Sequence, residues 1–101
     1  MKAPISRFTV NGNSMVPTLQ PGQDVLSFNW AYLGKQPRVG DIVIVKSEKS
    51  KVKSEIIKRV ERVEGDQVYL VGDNQSESTD SRDFGAISIN NIVGKVVYGA
   101  K

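Results

Sequence analysis

Short runs of β-branched and aromatic residues, separated by turn residues, constrain the fold of this chain most strongly. Turn signals such as Pro21-Gly22 and Gly72-Asp73-Asn74 end the runs before a helical period is established. The predicted strands are Ile5–Val10, Asp24–Phe28, Asp41–Val45, Glu55–Val63, Gln67–Val71 and Ile92–Tyr98. Trp30–Leu33 and Ser88–Ile92 are each predicted to form a helical turn. The pattern indicates an all-β fold, a small folded antiparallel sheet or partly open β-barrel, in one domain over residues 1–101.

Cysteine and histidine are both absent, which excludes several kinds of site. The chain has no disulfide, no thiol nucleophile and no zinc–thiolate centre, and it contains neither a Ser-His-Asp triad nor an HExxH helix. If the protein is a hydrolase, its general base must therefore be a lysine, a carboxylate or the amino terminus.

The charge balance is mildly basic, with 14 lysines and arginines against 11 acidic residues. Much of the excess positive charge lies in residues 46–53. The simplest interpretation is a solvated hairpin tip, and the alternative is contact with an anionic lipid or nucleic acid. Aromatic residues do not interleave with these lysines, so no nucleic-acid partner is predicted.

No apolar run approaches the roughly 20 residues of a membrane-spanning helix, and residues 1–10 lack the apolar core of a signal peptide. The sequence as written is expected to be soluble and cytoplasmic. The alternative is a catalytic domain trimmed of an N-terminal anchor, and only in that case is membrane contact expected.

Lys58 occupies an unusual position in the predicted fourth strand. Because side chains alternate between faces, Lys58 shares its face with Ile56 and Val60, while Ile57 and Arg59 share the other face. Two β-branched neighbours make this lysine a candidate for desolvation, which would lower the pKa of its amine and make it usable as a general base. The alternatives are an edge-strand lysine that prevents aggregation, or one whose amine reaches out to water.

Two further segments carry polar residues in constrained surroundings. Ser14 lies between Gly12, which permits a positive φ, and Pro17, which favours an extended residue before it; by itself such a serine is usually structural. Residues 72–85 form a long polar loop between glycines, either functional or a plain surface Ω-loop. Asp80 and Arg82 in this loop have opposite charges and are expected to pair.

Four motifs, in this order, resemble the sequence boxes of the type I signal peptidase family, the serine–lysine peptidases. Gly12-Asn13-Ser14-Met15-Val16-Pro17-Thr18-Leu19 resembles the nucleophile box, and Gly40-Asp41-Ile42-Val43-Ile44-Val45 the strand box. Ile57-Lys58-Arg59-Val60 is similar to the lysine box, and residues 72–85 to the last box. The resemblance runs through nearly the whole chain and implies the fold of the family's catalytic core.

The resemblance implies that Ser14 is the nucleophile and Lys58 its general base, with Ser78 orienting the lysine amine. The Ser14 amide would supply one oxyanion-hole donor. Some members have a serine two residues before the nucleophile as the second donor; here that position is Gly12, so a backbone amide is the remaining candidate. The chemistry agrees, because serine needs a base and Ser-Lys is a variant of the triad arrangement.

The resemblance also implies structural support around the site. Asp80 and Arg82 would form an ion pair beneath it, and Asp73 and Asn74 would support it at the start of the last box. No cofactor or metal is implied.

One branch of the family is more similar than the rest. Larger members carry an inserted second β domain between the lysine box and the last box, whereas here only Glu61–Val71 fills this gap. Together with Glu77-Ser78-Thr79 in the last box and the lack of an anchor, this resembles the small maturation proteases of nickel-type superoxide dismutase. The implied substrate is the short leader of the dismutase precursor, bound as an extended peptide.

Two alternatives stay open. The first is an anchor-trimmed catalytic domain of a general secretory signal peptidase. The second is a regulatory protein related to the self-cleaving domains of SOS-type repressors, but the sequence contains no helix-turn-helix candidate.

Overall fold

A computed structural model describes residues 4–10, 12–29, 36–47, 54–74 and 85–99. The strands are β1 (Ile5–Thr9), β2 (Asp24–Phe28), β3 (Ile42–Ser47), β4 (Ser54–Glu64), β5 (Gln67–Val71), β6 (Ile87–Ser88) and β7 (Ile92–Gly99). The all-β class predicted from the sequence is confirmed.

Within the described residues seven strands form one sheet, in the order β1-β2-β7-β3-β4-β5-β6. Every neighbouring pair is antiparallel. The C-terminal strand β7 lies between β2 and β3, and so joins the half of the sheet next to Ser14 to the half that carries Lys58. Register shifts at Leu26/Ser27, Ile44/Val45 and Val60/Arg62 mark bulges, which increase twist and bend the sheet.

In the part of the chain that the structure describes, the core consists of two apolar clusters, and β3 contributes to both because its side chains alternate. The first cluster contains Val10, Met15, Leu19, Val25, Ile44, Ile57 and Val93. The second contains Val43, Val45, Val60, Val68, Leu70 and Ile87. Since Ile44 enters the first and its neighbours enter the second, both faces of β3 are covered by apolar side chains.

Gly94 in β7 lies against a small polar group on β2. Ser27 is fully buried, and its hydroxyl donates a hydrogen bond to Oδ1 of Asn29 over 2.8 Å. A Cβ atom built on Gly94 would collide with the Ser27 hydroxyl and lie 2.5 Å from Asn29 Oδ1. Glycine is therefore required here for close approach of the strands.

The sequence-based elements agree with the structure apart from short segments. The helical turn predicted near residue 89 is a 3-10 helix over Ile89–Asn91, whereas the two-residue strand β6 was not predicted. The turn predicted at Trp30–Leu33 lies outside the described residues, and the single-domain organisation stays a prediction. No helix within the described ranges is long and apolar enough to cross a membrane.

Candidate active site

Ser14 lies in a compact turn, residues 12–19, which we name the Ser14 turn. Gly12 adopts φ 76°, in the left-handed region that favours glycine. Two backbone hydrogen bonds close the turn: Val16 N–H donates to the Asn13 carbonyl over 3.2 Å, and Leu19 N–H donates to the Met15 carbonyl over 2.9 Å. Met15 and Leu19 are buried in the first core cluster, so the apolar members anchor the turn while Ser14 stays partly accessible.

Lys58 is buried in the middle of the sheet, with 5% of its surface exposed. Strand β4 lies between β3 and β5, so Lys58 is not on an edge strand. Its cross-strand partner on β3 is Val43, and its neighbours Ile56 and Val60 pack in or against the second core cluster. The apolar surroundings predicted from the alternation are therefore present, and burial disfavours a charged amine.

Asp73 connects the Ser14 turn to β4. Its carboxylate accepts two hydrogen bonds from Arg59, Nε to Oδ1 over 2.7 Å and Nη2 to Oδ2 over 2.8 Å, and a third from the Thr18 hydroxyl to Oδ2. Arg59 also donates from Nη1 to the carbonyl oxygen of Gly40 over 2.7 Å. Arg59, the residue after Lys58, thus binds both Asp73 at the start of the last box and Gly40 in the turn before β3.

The hydrogen bonds between Asp73 and Arg59 shift both groups toward their charged forms. They lower the pKa of Asp73, with desolvation opposing the shift and the Thr18 hydroxyl adding to it. The same contact raises the pKa of Arg59, again against desolvation. Both side chains are therefore charged throughout the neutral range.

Asn74 makes the second connection. Its backbone N–H donates to the Ser14 carbonyl over 2.7 Å, and its side-chain amide donates to the Asn13 carbonyl over 3.1 Å. Because β4 and β5 pair Arg59 with Val71, the antiparallel register sets Gly72 alongside Lys58. The segment that leaves β5 thus runs from beside Lys58 to the backbone of Ser14.

Some of the predicted site residues lie within the described part of the structure and others lie outside it. Asp73 and Asn74 are hydrogen-bonded to the Ser14 turn, and Gly12 lies at the exposed start of that turn. Lys58 directly precedes Arg59, the residue that binds Asp73; its approach to Ser14 stays a prediction. Ser78, Asp80 and Arg82 lie outside the described residues. No cluster of three or more acidic side chains suited to a metal ion is present in the described ranges.

Arg59 and Thr18 lie within the lysine box and the nucleophile box, but the sequence alone assigned no role to either residue. A usable signal existed for Arg59, because the strand alternation places it on the face of Ile57, where a charged group needs a partner. Thr18 carried no comparable signal, since its acceptor is 55 residues away in the chain.

Comparisons with known proteins agree with the motifs. A family model described as Signal peptidase, peptidase S26 matches residues 1–70 and 61–99. The chain is 36% identical over 108 residues to Mitochondrial inner membrane protease subunit 1 of Homo sapiens, covering 87% of this chain and 64% of that protein. It is 26% identical to Probable thylakoidal processing peptidase 2, chloroplastic, of Arabidopsis thaliana, covering 89% of this chain and 36% of that protein.

A third relative, Mitochondrial inner membrane protease subunit 2 of Mus musculus, is 34% identical over 79% of this chain and 58% of its own length. The chain spans less than two thirds of the length of these three curated relatives.

Proposed function

Because this chain belongs to the signal peptidase family, peptidase S26, we propose that it is a serine endopeptidase that removes an N-terminal leader from a precursor protein. Ser14 is the nucleophile and Lys58 its general base. The observation that carries the proposal is the burial of Lys58 on an inner strand whose neighbouring segment is hydrogen-bonded to the backbone of Ser14.

The chemistry requires Lys58 to be neutral when Ser14 attacks. Its amine then accepts the hydroxyl proton while Ser14 Oγ bonds to the scissile carbonyl carbon. The protonated amine returns that proton to the leaving amine as the C–N bond breaks, which leaves an acyl-enzyme. Water, deprotonated by the same amine, then attacks the ester carbon. The C–Oγ bond breaks, the acid product is released, and the protonated amine returns its proton to Ser14 Oγ. Apolar neighbours on β3 and β4 favour the neutral amine at the start of each half-reaction.

The family resemblance supplies the remaining roles. Ser78 orients the lysine amine, and Asp80 with Arg82 supports the site as an ion pair. The Ser14 amide and the backbone near Gly12 stabilise the oxyanion. The positive φ of Gly12 supports a backbone role at this position, because a side chain there would be strained.

The leader is bound in extended form along an exposed sheet edge, by β-addition. An open sheet supports this mode: within the described residues it begins at β1 and ends at β6 instead of closing on itself. Alternate pockets along such an edge provide sequence specificity.

For the substrate we propose the leader of a nickel-type superoxide dismutase precursor. Two features support this choice: the Glu77-Ser78-Thr79 version of the last box, and the short connection between the lysine box and the last box. That connection is the β4–β5 hairpin, which turns at Gly65-Asp66.

A second candidate is the processing of precursors at a membrane. The names of the relatives support it, because they describe a mitochondrial inner membrane protease and a thylakoidal processing peptidase. They also favour the membrane-associated alternative over the cytoplasmic localisation expected from the sequence.

The test mixes the purified protein with the dismutase precursor and, separately, with a secretory preprotein in detergent. Mass spectrometry of the product's new amino terminus identifies the cleaved bond, and Ser14→Ala is the matched control. If the parent cleaves the dismutase precursor and Ser14→Ala does not, the result supports the full proposal. Cleavage of the preprotein alone favours the membrane candidate. Equal cleavage by the parent and Ser14→Ala contradicts the peptidase assignment, and no cleavage of either protein contradicts both proposed substrates.

A further inference from the structure

The Asp73 carboxylate joins one residue from each of the two segments that carry the proposed catalytic pair. Thr18 belongs to the Ser14 turn, and Arg59 directly follows Lys58 in β4. We name Asp73, Thr18 and Arg59 the Asp73 cluster. Its three members come from separate parts of the sequence, so its hydrogen bonds are purely tertiary.

We propose that the Asp73 cluster is a positioning device that fixes the Ser14 turn relative to β4 and thereby sets the approach of the serine hydroxyl to the lysine amine. This inference rests on the proposed peptidase function. Thr18 and Arg59 are positioning residues in this scheme and do not contact the substrate.

The geometry of Arg59 makes the cluster rigid. Its guanidinium binds both carboxylate oxygens of Asp73, an arrangement that fixes orientation as well as distance. The remaining nitrogen binds the Gly40 carbonyl, and Gly40 N–H in turn donates to the Val60 carbonyl over 2.9 Å. The guanidinium plane is thus held from two sides, and Asp73 is fixed by it.

Thr18 transmits this fixed position to the Ser14 turn. The Asp73 side chain is 16% exposed and its bonds from Arg59 are partly buried, whereas Thr18 is exposed and its bond to Asp73 lies at the protein surface. The neighbouring Asn74 holds the other end of the turn through the carbonyls of Asn13 and Ser14. Without the Thr18 bond, this end of the turn keeps only the packing of Leu19 in the first core cluster and the backbone bond from Leu19 to Met15.

Small displacements matter for this chemistry. A misplacement of about 1 Å between reacting groups costs on the order of 100-fold in rate, even when the change lies away from the reacting atoms. A device that fixes the turn is therefore expected to act on kcat and to leave substrate binding nearly unchanged.

The test compares Thr18→Val, which removes the hydroxyl at nearly constant shape, with Thr18→Ser, which keeps it. Thr9→Val is the matched control, because the Thr9 hydroxyl also donates to an aspartate, Asp24 Oδ1, over 2.7 Å. Cleavage of the dismutase precursor, or of the secretory preprotein where the parent cleaves only that protein, gives kcat and KM for each variant. Thermal unfolding confirms that each is folded at the assay temperature, and Ser14→Ala is assayed in parallel.

We expect Thr18→Val to lower kcat by about 10- to 100-fold with KM within about twofold, while Thr18→Ser and Thr9→Val keep kcat within about threefold of the parent. A folded Thr18→Val protein with parental kcat, beside an inactive Ser14→Ala, overturns the positioning role and leaves the peptidase assignment intact. A rise in KM alone also overturns it, because Thr18 would then bind substrate. Activity in Ser14→Ala overturns the peptidase assignment itself.

Discussion

The backbone amide of Asn74 donates a hydrogen bond to the carbonyl oxygen of Ser14 over 2.7 Å. The side chain of the same asparagine donates to the Asn13 carbonyl over 3.1 Å, so two successive carbonyls of the Ser14 turn are held by one residue. The position of the proposed nucleophile is therefore set by the segment after β5 as well as by the turn's own hydrogen bonds.

Replacing Asn74 with alanine tests the side-chain part of this connection. Asn74→Ala keeps the backbone bond to Ser14 and loses the bond to Asn13. We expect the free energy of unfolding to fall by about 0.5–1.5 kcal/mol, the usual net contribution of one hydrogen bond. Urea unfolding measures the change, and Asn90→Ala, at an exposed asparagine, is the control. Equal stability of the two variants contradicts the prediction.

We expect that Lys58 can be replaced without loss of the fold but not without loss of the proposed function. Lys58→Met places an apolar chain of similar length among Ile56, Val60 and Val43, so the variant should still fold, which thermal unfolding checks. Cleavage should be lost in this variant and equally in Lys58→Arg, since a guanidinium stays protonated and accepts no proton.

Lys46→Met is the control for these lysine variants, because Lys46 is exposed on β3. It should retain parental cleavage. Turnover by Lys58→Arg near the parental rate would exclude Lys58 as the base.

The sequence revealed the strands well because their determinants are local. In β2, β4 and β5, β-branched residues and adjacent turn residues mark the strand in the local sequence. Strand β6 was missed because its two residues form a strand only by pairing with Gln67 and Val68 of β5. The insertion of β7 between β2 and β3 depends on long-range pairing, which no local pattern encodes.

The candidate site also has features that depend on local sequence and features that depend on long-range contacts. Burial of Lys58 was one of the interpretations that the local sequence offered, because its i±2 neighbours are β-branched and lie on its own strand. The partner of Arg59 could not be predicted from local sequence. Asp73 is 14 residues further along the chain, and the contact between the two side chains depends on the β4–β5 register.

Gly94 is predicted to tolerate no side chain. In Gly94→Ala the new Cβ would overlap the Ser27 hydroxyl and approach the Asn29 backbone to 3.1 Å, so β7 or β2 must shift. Overpacking of this kind costs about 1–3 kcal/mol, measurable by urea unfolding. Adding Ser27→Ala to Gly94→Ala should recover part of the loss, whereas Ser27→Ala alone should not stabilise the parent. Full stability of Gly94→Ala would show that the strands separate freely here.

The ion pair of Asp73 and Arg59 should make stability depend on acid pH. Arg59 lowers the pKa of Asp73 below its ordinary value of 3.8, so the folded protein holds this carboxylate ionised more strongly than the unfolded chain does. The resulting stabilisation is complete above the unfolded pKa and is lost as pH falls through the lower folded pKa. Asp73→Asn should therefore be less stable than the parent by about 1.5–3 kcal/mol near pH 6, and the difference should shrink below about pH 4.

Urea unfolding of the parent and Asp73→Asn between about pH 2 and 7 measures this difference. Arg59→Met provides the control, because the hydrogen bonds from Arg59 are the largest cause of the lowered pKa. When Asp73→Asn is added to Arg59→Met, the acid-dependent difference should be much smaller than in the parent background, since only the Thr18 hydroxyl then favours the charged carboxylate. A difference that stays constant across the whole pH range would show that the carboxylate is not stabilised in its charged form, and the ion pair would contribute through packing alone.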